Sequence, residues 1–417
     1  VASSGRPRKV VILAVLVAAL GYFVDLYDLV LFTAVWKPSL EALKIAPEKI
    51  GETGQHLLNL QLTGLMIGGI TWGILGDKRG RLTVLFGSII TYSLANLLNA
   101  FVTNVEVYAV LRFIAGFGLA GELGAGITLV SELLDTKRRG IGTTIVASVG
   151  LAGAIAAGLV SSALLKWDPE SGWRTAYGIG GAMGLVLLAL RVGVLESGLF
   201  QNVKQVDVLR GDVRMLLWPP RRFARFALVI LVGMPIWFAG GVLFVFSPII
   251  GGQLGLDPAP TAAMTVMWAY IGVVLGDLCS GLLSQFVKRR KPVIALFLLL
   301  YAGAIWLLLS KGGTSLTAFY GLMCLVGATT GYWVLFVTVA SEQFGTNLRA
   351  TVTTSAPNFV RGSAVIVTMV WAGVGGRDAE TGTTATMLVG FGCIAIGLLS
   401  LWRLDETFHR DLDYLER

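Results

Sequence analysis

Twelve apolar stretches of membrane-spanning length divide this chain from end to end, which leaves it few folds to choose from. An α-helix needs roughly 20 apolar residues to cross a hydrocarbon core of about 30 Å. The stretches run over 10–36, 55–75, 82–102, 106–134, 141–165, 173–193, 222–251, 259–284, 293–311, 316–343, 350–374 and 383–403. Inside lipid every backbone N–H and C=O must be paired within its own segment, so stretches of this length read as helices. Composition agrees, with 55% hydrophobic residues and a mean hydropathy of +0.76, above the range of soluble domains. The opening GRPRK and the apolar run after it have the outline of a signal peptide. That run is too long, carries two aspartates and lacks a small-residue cleavage site, so it reads as the first span.

Only 14% of residues are charged, yet the formal net charge is +8, an excess that in a soluble protein would suggest a nucleic-acid partner. Location gives it another meaning. Most Lys and Arg lie in the N-terminal segment, the even-numbered connections and the C-terminal segment, while Arg112, Arg191 and Arg361 fall inside spans. This is the positive-inside distribution, and it predicts a multi-pass protein of the cell (inner) membrane with both termini cytoplasmic and no nucleic-acid partner. Cys279, Cys324 and Cys393 all fall in spans, which argues for core packing and against a disulfide framework. His56 and His409 form no metal-ligand cluster, and the chain has no Walker motif, nucleotide-binding domain or nucleophile elbow. The expectation is a monomeric carrier, not an enzyme, with no cofactor or metal, driven by an ion gradient.

The longest polar connection, 195–221, divides the chain into an N-terminal bundle (1–194) and a C-terminal bundle (222–403), followed by a cytoplasmic tail (404–417). The halves are related. SELLDTKRRGIGTT from Ser131 and SEQFGTNLRATVTT from Ser341 share six of fourteen positions at an offset of 210 residues. A weaker echo sets WGILGDKRGRL at Trp72 beside SGLLSQFVKRRKP at Ser280, with Gln285 in place of Asp77. Two parallel six-helix repeats are a transporter pattern.

Through GILGDKRGRL between the second and third spans, and the paired SE…RG and SE…RA segments after the fourth and tenth, the chain resembles the major facilitator superfamily. The resemblance implies an all-α membrane fold of twelve helices in two pseudo-symmetric six-helix bundles, working by alternating access. It also implies an inner gate of Asp77, Arg81, Glu132, Arg139, Glu342 and Arg349; the alternative is a set of solvated loop charges that only fix topology. A narrower likeness is carried by DLYDLVLF from Asp25, RFIAGFGLAGELGAG from Arg112, LESGLFQ from Leu195 and DETFHRDLD from Asp405. These look like the metabolite:proton symporters and the sugar-porter-like branch, although the first aromatic of the helix 1 pattern is replaced by Leu26 and two prolines are missing.

An ionised group near the bilayer centre costs at least about 2.5 to 3.5 kcal/mol, so each buried charge needs a partner or a purpose. Asp25 and Asp28, at i and i+3, share a helix face. In the family the first and fourth helices are neighbours, so either carboxylate can pair with Arg112. Protonation that releases Arg112 would let the outward and inward states exchange, and a permanent structural ion pair is the alternative. Glu122, in a glycine-rich run, is a second proton-site candidate or else a neutral hydrogen-bonded carboxyl. Arg361 falls mid-span with Asn358 at i−3. It either binds an organic-acid carboxylate bidentately or pairs with Asp277. Tyr27, Trp237, Tyr270 and Trp333 complete the candidate substrate-binding set, with Trp268 and Tyr332 as further aromatics that line a cavity or serve as packing and interface anchors.

The reading that follows is a proton-coupled symporter of a small organic anion or zwitterion. The alternatives are a proton-coupled drug exporter, whose fifth-helix proline is absent from GLAGAIAAGL, and a transporter-like sensor that moves nothing.

Overall fold

The computed structural model describes residues 8–79, 81–121, 136–196 and 218–408. The N-terminal helices are α1 (Arg8–Ala42), α2 (Pro47–Arg79), α3 (Arg81–Asn99), α4 (Val105–Leu119), α5 (Thr136–Trp167) and α6 (Gly172–Glu196). The C-terminal set is α7 (Pro220–Phe238), α8 (Ser247–Gln253), α9 (Ala262–Val287), α10 (Lys291–Lys311), α11 (Leu316–Thr330), α12 (Trp333–Glu342), α13 (Thr346–Gly373) and α14 (Gly382–Arg403). Among the described residues nine helices are long and apolar enough to span a bilayer, and a shorter apolar helix covers Val84–Asn99. α4 is described only as far as its fraying end at Gly121, while α13 carries Asn358 and Arg361 in its middle.

The two halves pack alike. α1 lies on α5, α2 on α4, and α3 on α6; in the second half α7 lies on α13, α9 on α11, and α10 on α14. The tightest crossings show the same solution twice. Gly64 and Gly116 face the Phe113 and Gln61 carbonyls, and Gly272 and Gly327 face those of Cys324 and Ala269, so a Cβ at any of the four would strike backbone. Small residues are what let helices approach this closely in lipid. The expected fold of two pseudo-symmetric bundles is borne out.

Two expected spans are not single helices. The 222–251 stretch runs as α7, then a π-helical segment Ala239–Phe244, then α8. The 316–343 stretch breaks between α11 and α12 at Gly331 and Tyr332. Hydropathy sees neither interruption because the residues on both sides remain apolar. The sequence cause is glycine, Gly240 and Gly241 with Pro235 just upstream in the first case and Gly331 in the second, where backbone freedom outweighs helix propensity.

Across the halves, α2 packs on α13, α5 on α9 and α1 on α9. The halves meet at the C-terminal end of α1 through Trp36, whose Nε1 donates to the Val245 carbonyl at 2.8 Å and whose ring meets Phe246 edge-on at 5.5 Å. Phe246 in turn stacks on Trp371 at 5.0 Å. Gln55 donates to the Thr368 carbonyl at 2.9 Å and Thr368 to Asn59 at 2.8 Å.

Candidate functional site

In the first half, Asp25, Asp28 and Arg112 are all fully buried. α1 presses the Asp28 carboxylate against Gly180 of α6, where an added Cβ would collide with Oδ1. Arg112 does not touch that carboxylate directly. Its Nη2 donates to Asn96 of α3 at 2.6 Å, and the Asn96 amide faces the Asp28 carboxyl, in contact without the alignment of a full hydrogen bond. The guanidinium lies over the Tyr177 ring at 4.7 Å and near that of Tyr108 at 5.8 Å. The two tyrosine hydroxyls are 2.7 Å apart, and Ser39 reaches Tyr108 at 3.3 Å. An amide therefore stands between the two charges the sequence expected to pair, and aromatic faces supply the rest of the seat by cation–π attraction. Asp25, three residues from Asp28 on α1, acts electrostatically on Asp28 and on Tyr22, which also feels the charges of Arg361 and Asp277.

In the second half Arg361 is buried to 1% exposure. Among the described residues its Nε and Nη1 have no hydrogen-bond partner. The ring centroids of Trp237 of α7 and Trp333 of α12, both half-buried, each lie 6.0 Å from its Cζ. Tyr22 of α1 and Tyr270 of α9 lie within its electrostatic reach. No ion pair joins it to Asp277 among the described residues, because Asp277 Oδ1 accepts the backbone N–H of Val334 at 3.1 Å. Asn358 does not turn toward Arg361 either; it packs on Gly69 and donates to the Ala120 carbonyl at 3.2 Å, tying α13 to the first half. A buried guanidinium with two unmet donors is costly unless an acceptor arrives. A planar carboxylate matches that fork, and two indole faces suit a flat ring attached to it.

The other expected residues are placed as follows. Tyr27 donates to the Ala176 carbonyl at 3.4 Å, inside the first bundle. Trp268 is partly exposed on the outer surface of its bundle, and Tyr332 is buried with its hydroxyl on the Val232 carbonyl at 3.1 Å. Of the six gate residues only Glu342 has a described side chain. It pairs with Arg290 at 3.2 Å and accepts from Thr407 at 2.6 Å, while Arg290 also reaches Ser284 at 3.0 Å. Glu122 and Glu132, and the side chains of Asp77, Arg81, Arg139 and Arg349, lie outside the described residues.

The segment after α14 packs against this same corner. Glu406 accepts the backbone N–H groups of Arg290 at 2.8 Å and Lys291 at 3.1 Å, at the start of α10. Burial of the Glu406 carboxyl opposes its ionisation, but the N–H groups of Arg290, Lys291, Thr407 and Phe408 outweigh that and hold it below the usual carboxylate range.

Sequence reasoning missed Asn96, Tyr177, Tyr22 and Arg290. Asn96 carried a signal, being a polar residue in the middle of an apolar span; the tyrosines did not stand out from ordinary packing aromatics.

Comparison with known proteins fits this geometry. A family model described as the Major Facilitator Superfamily matches residues 11–376. The chain is 28% identical over 389 residues to a probable 4-methylmuconolactone transporter of Cupriavidus pinatubonensis, covering 91% of this chain and 88% of that one. It is 26% identical over 412 residues to a gentisate transporter of Corynebacterium glutamicum, covering 95% and 88%. In fold it is similar to a crystal structure of a D-xylose-proton symporter, with a TM-score of 0.72 at 14% identity over 95% of this chain and 98% of that one. With the family matched over most of its length and the two-bundle fold on the page, the chain belongs to the Major Facilitator Superfamily and is a multi-pass membrane transporter, not an enzyme.

Proposed function

We propose that the protein is a proton-coupled symporter of small ring-bearing organic anions in a cell inner membrane, with both termini cytoplasmic. The observation that carries this reading is Arg361, a buried guanidinium with two unmet donors among the described residues and two indole rings 6.0 Å away. The substrate carboxylate takes the Nε and Nη1 fork, and its ring lies between Trp237 and Trp333. Support also comes from the relatives, whose names describe cyclic compounds that bear a carboxylate.

Coupling runs through the first half. Asp28 takes the proton, with Asn96 carrying the change to Arg112. Neutralising the carboxyl weakens its hold on the guanidinium through Asn96, and that altered balance lets the bundles rock between outward and inward states. Asp25, beside Tyr22 and closer to Arg361, senses whether substrate is present.

The test is uptake of labelled gentisate or 4-hydroxybenzoate into proteoliposomes with an alkaline interior, against protein-free liposomes to correct for diffusion of the neutral acid. Accumulation that follows the imposed gradient is expected. Uptake of these anions that ignores the gradient would refute coupling; uptake of neutral sugars or lipophilic cations in their place would refute the substrate class.

A further inference from the structure

The break between α11 and α12 creates a problem that the chain solves from a different helix. Tyr332 leaves helical geometry at φ −120° and ψ 21° and offers no side-chain cap. The first N–H groups of α12 therefore start inside a bilayer without an intrahelical acceptor, where each unpaired group costs several kcal/mol. Asp277 supplies the acceptor from α9. Its Oδ1 takes the Val334 N–H at 3.1 Å and its carboxylate also interacts with the Trp333 N–H. It can reach because α9 and α11 meet backbone to backbone, with Gly331 lying directly on the Gly276 and Asp277 main chain. A carboxylate at a helix N-terminus is also favoured by the helix dipole.

The Val334 amide held in this way adjoins Trp333, whose ring centroid lies 6.0 Å from the Arg361 guanidinium. We infer that Asp277 is a positioning residue of the substrate site, fixing the α11–α12 hinge so that the Trp333 indole stands at its place beside Arg361. This role rests on the anion reading of that site. It differs from an ion-pair role for Asp277, since what matters is an acceptor oxygen and not a charge.

Asparagine keeps the acceptor and alanine removes it, so the two variants separate the roles. In gentisate uptake, Asp277→Ala is expected to raise KM about tenfold, the scale of a lost cap, with a smaller change in maximal rate. Asp277→Asn should stay within about threefold of wild type. In combination with Trp333→Ala, the Asp277→Ala penalty should largely vanish, because the group it positions is gone. Fully additive effects, or a folded Asp277→Asn variant as impaired as the alanine variant, would overturn the inference. If Asp277→Ala does not fold, the Asp277→Asn result still decides between cap and charge. Hydrogen exchange over residues 331–336 needs no substrate, and faster exchange in Asp277→Ala than in wild type is expected. If wild type transports no ring carboxylate, the anion reading fails while the exchange result still reports whether Asp277 holds the hinge; unchanged exchange overturns that too.

Discussion

Arg112 and Arg361 are both buried guanidiniums near the middle of their bundles, yet their surroundings differ in kind. Arg112 donates through Nη2 to Asn96 at 2.6 Å, with the Tyr177 face at 4.7 Å and the Asp28 carboxyl on the far side of the amide, while its Nε and Nη1 have no hydrogen-bond partner among the described residues. Arg361 likewise has Nε and Nη1 unpartnered among the described residues, but its neighbours are two indole rings with centroids 6.0 Å away, and Asp277 Oδ1 accepts a helix N–H instead. The repeat makes the contrast sharper. At the offsets the repeats themselves show, 208 to 211 residues, none of Asp28, Arg112, Asp277 and Arg361 has a charged counterpart in the other half. Duplication supplied one scaffold twice, and the ionisable groups were added separately to each half. A cation linked through an amide to an ionisable carboxyl suits a switch whose internal balance changes; a cation set beside two indole rings suits a receptor for a ring carboxylate.

The comparison breaks first at Arg361. Arg361→Gln should lower kcat/KM for ring carboxylates by about 100-fold or more, the scale of leaving a buried carboxylate without its charged partner. Arg361→Lys should recover only part, since an ammonium cannot offer the planar fork. Initial-rate uptake over a substrate series measures both.

The next effect separates the two aspartates. Asp28→Asn should abolish gradient-driven accumulation by about tenfold or more while substrate exchange at equal pH persists, because the proton acceptor is lost but the anion site is intact. Asp25→Asn should leave more of the gradient response. Equal losses for the two would dissolve the distinction drawn between them.

Gly180→Ala probes the same seat by volume. The new methyl would collide with Asp28 Oδ1 and displace the carboxyl from Asn96. A reduction in gradient-driven uptake of a few fold is expected, smaller than that of Asp28→Asn because the proton acceptor is shifted and not removed. Retention of full coupling would show that the placement of Asp28 is not critical.

The smallest effect is at the inner corner. The Glu406 carboxyl is held below the usual carboxylate range, so its contribution to stability is present above its unfolded value and is lost as pH falls through the folded one. Glu406→Gln should therefore melt lower than wild type at neutral pH, and the gap should narrow as the pH drops into and below the carboxylate range. A gap independent of pH would mean the anionic cap adds nothing beyond its shape.

Much of the scaffold could be read from the residues. Hydropathy located the spans, the offset of 210 related the halves, and the charges interrupting apolar runs picked out Asp25, Asp28, Arg112 and Arg361 before any coordinates. The rest was hidden for physical reasons. Helices buried on most sides show no clean apolar stripe, so periodicity does not reveal which way Asn96 or Asn358 turns; one faces Arg112 and the other the Ala120 carbonyl of the opposite bundle. Tyr22 and Tyr27 lie a little over one turn apart on α1, and the motif drew attention to Tyr27, but Tyr22 is the one near Arg361. The cap that Asp277 provides depends on a helix break that leaves no mark in hydropathy.

The central claim, a receptor in one half and a switch in the other, is tested most directly by equilibrium binding of gentisate and its methyl ester to purified wild type, Arg361→Gln and Arg112→Gln. The account predicts that wild type and Arg112→Gln bind the acid well above the ester, and that Arg361→Gln binds both equally weakly. Undiminished preference for the acid in Arg361→Gln, with its loss in Arg112→Gln, would contradict it.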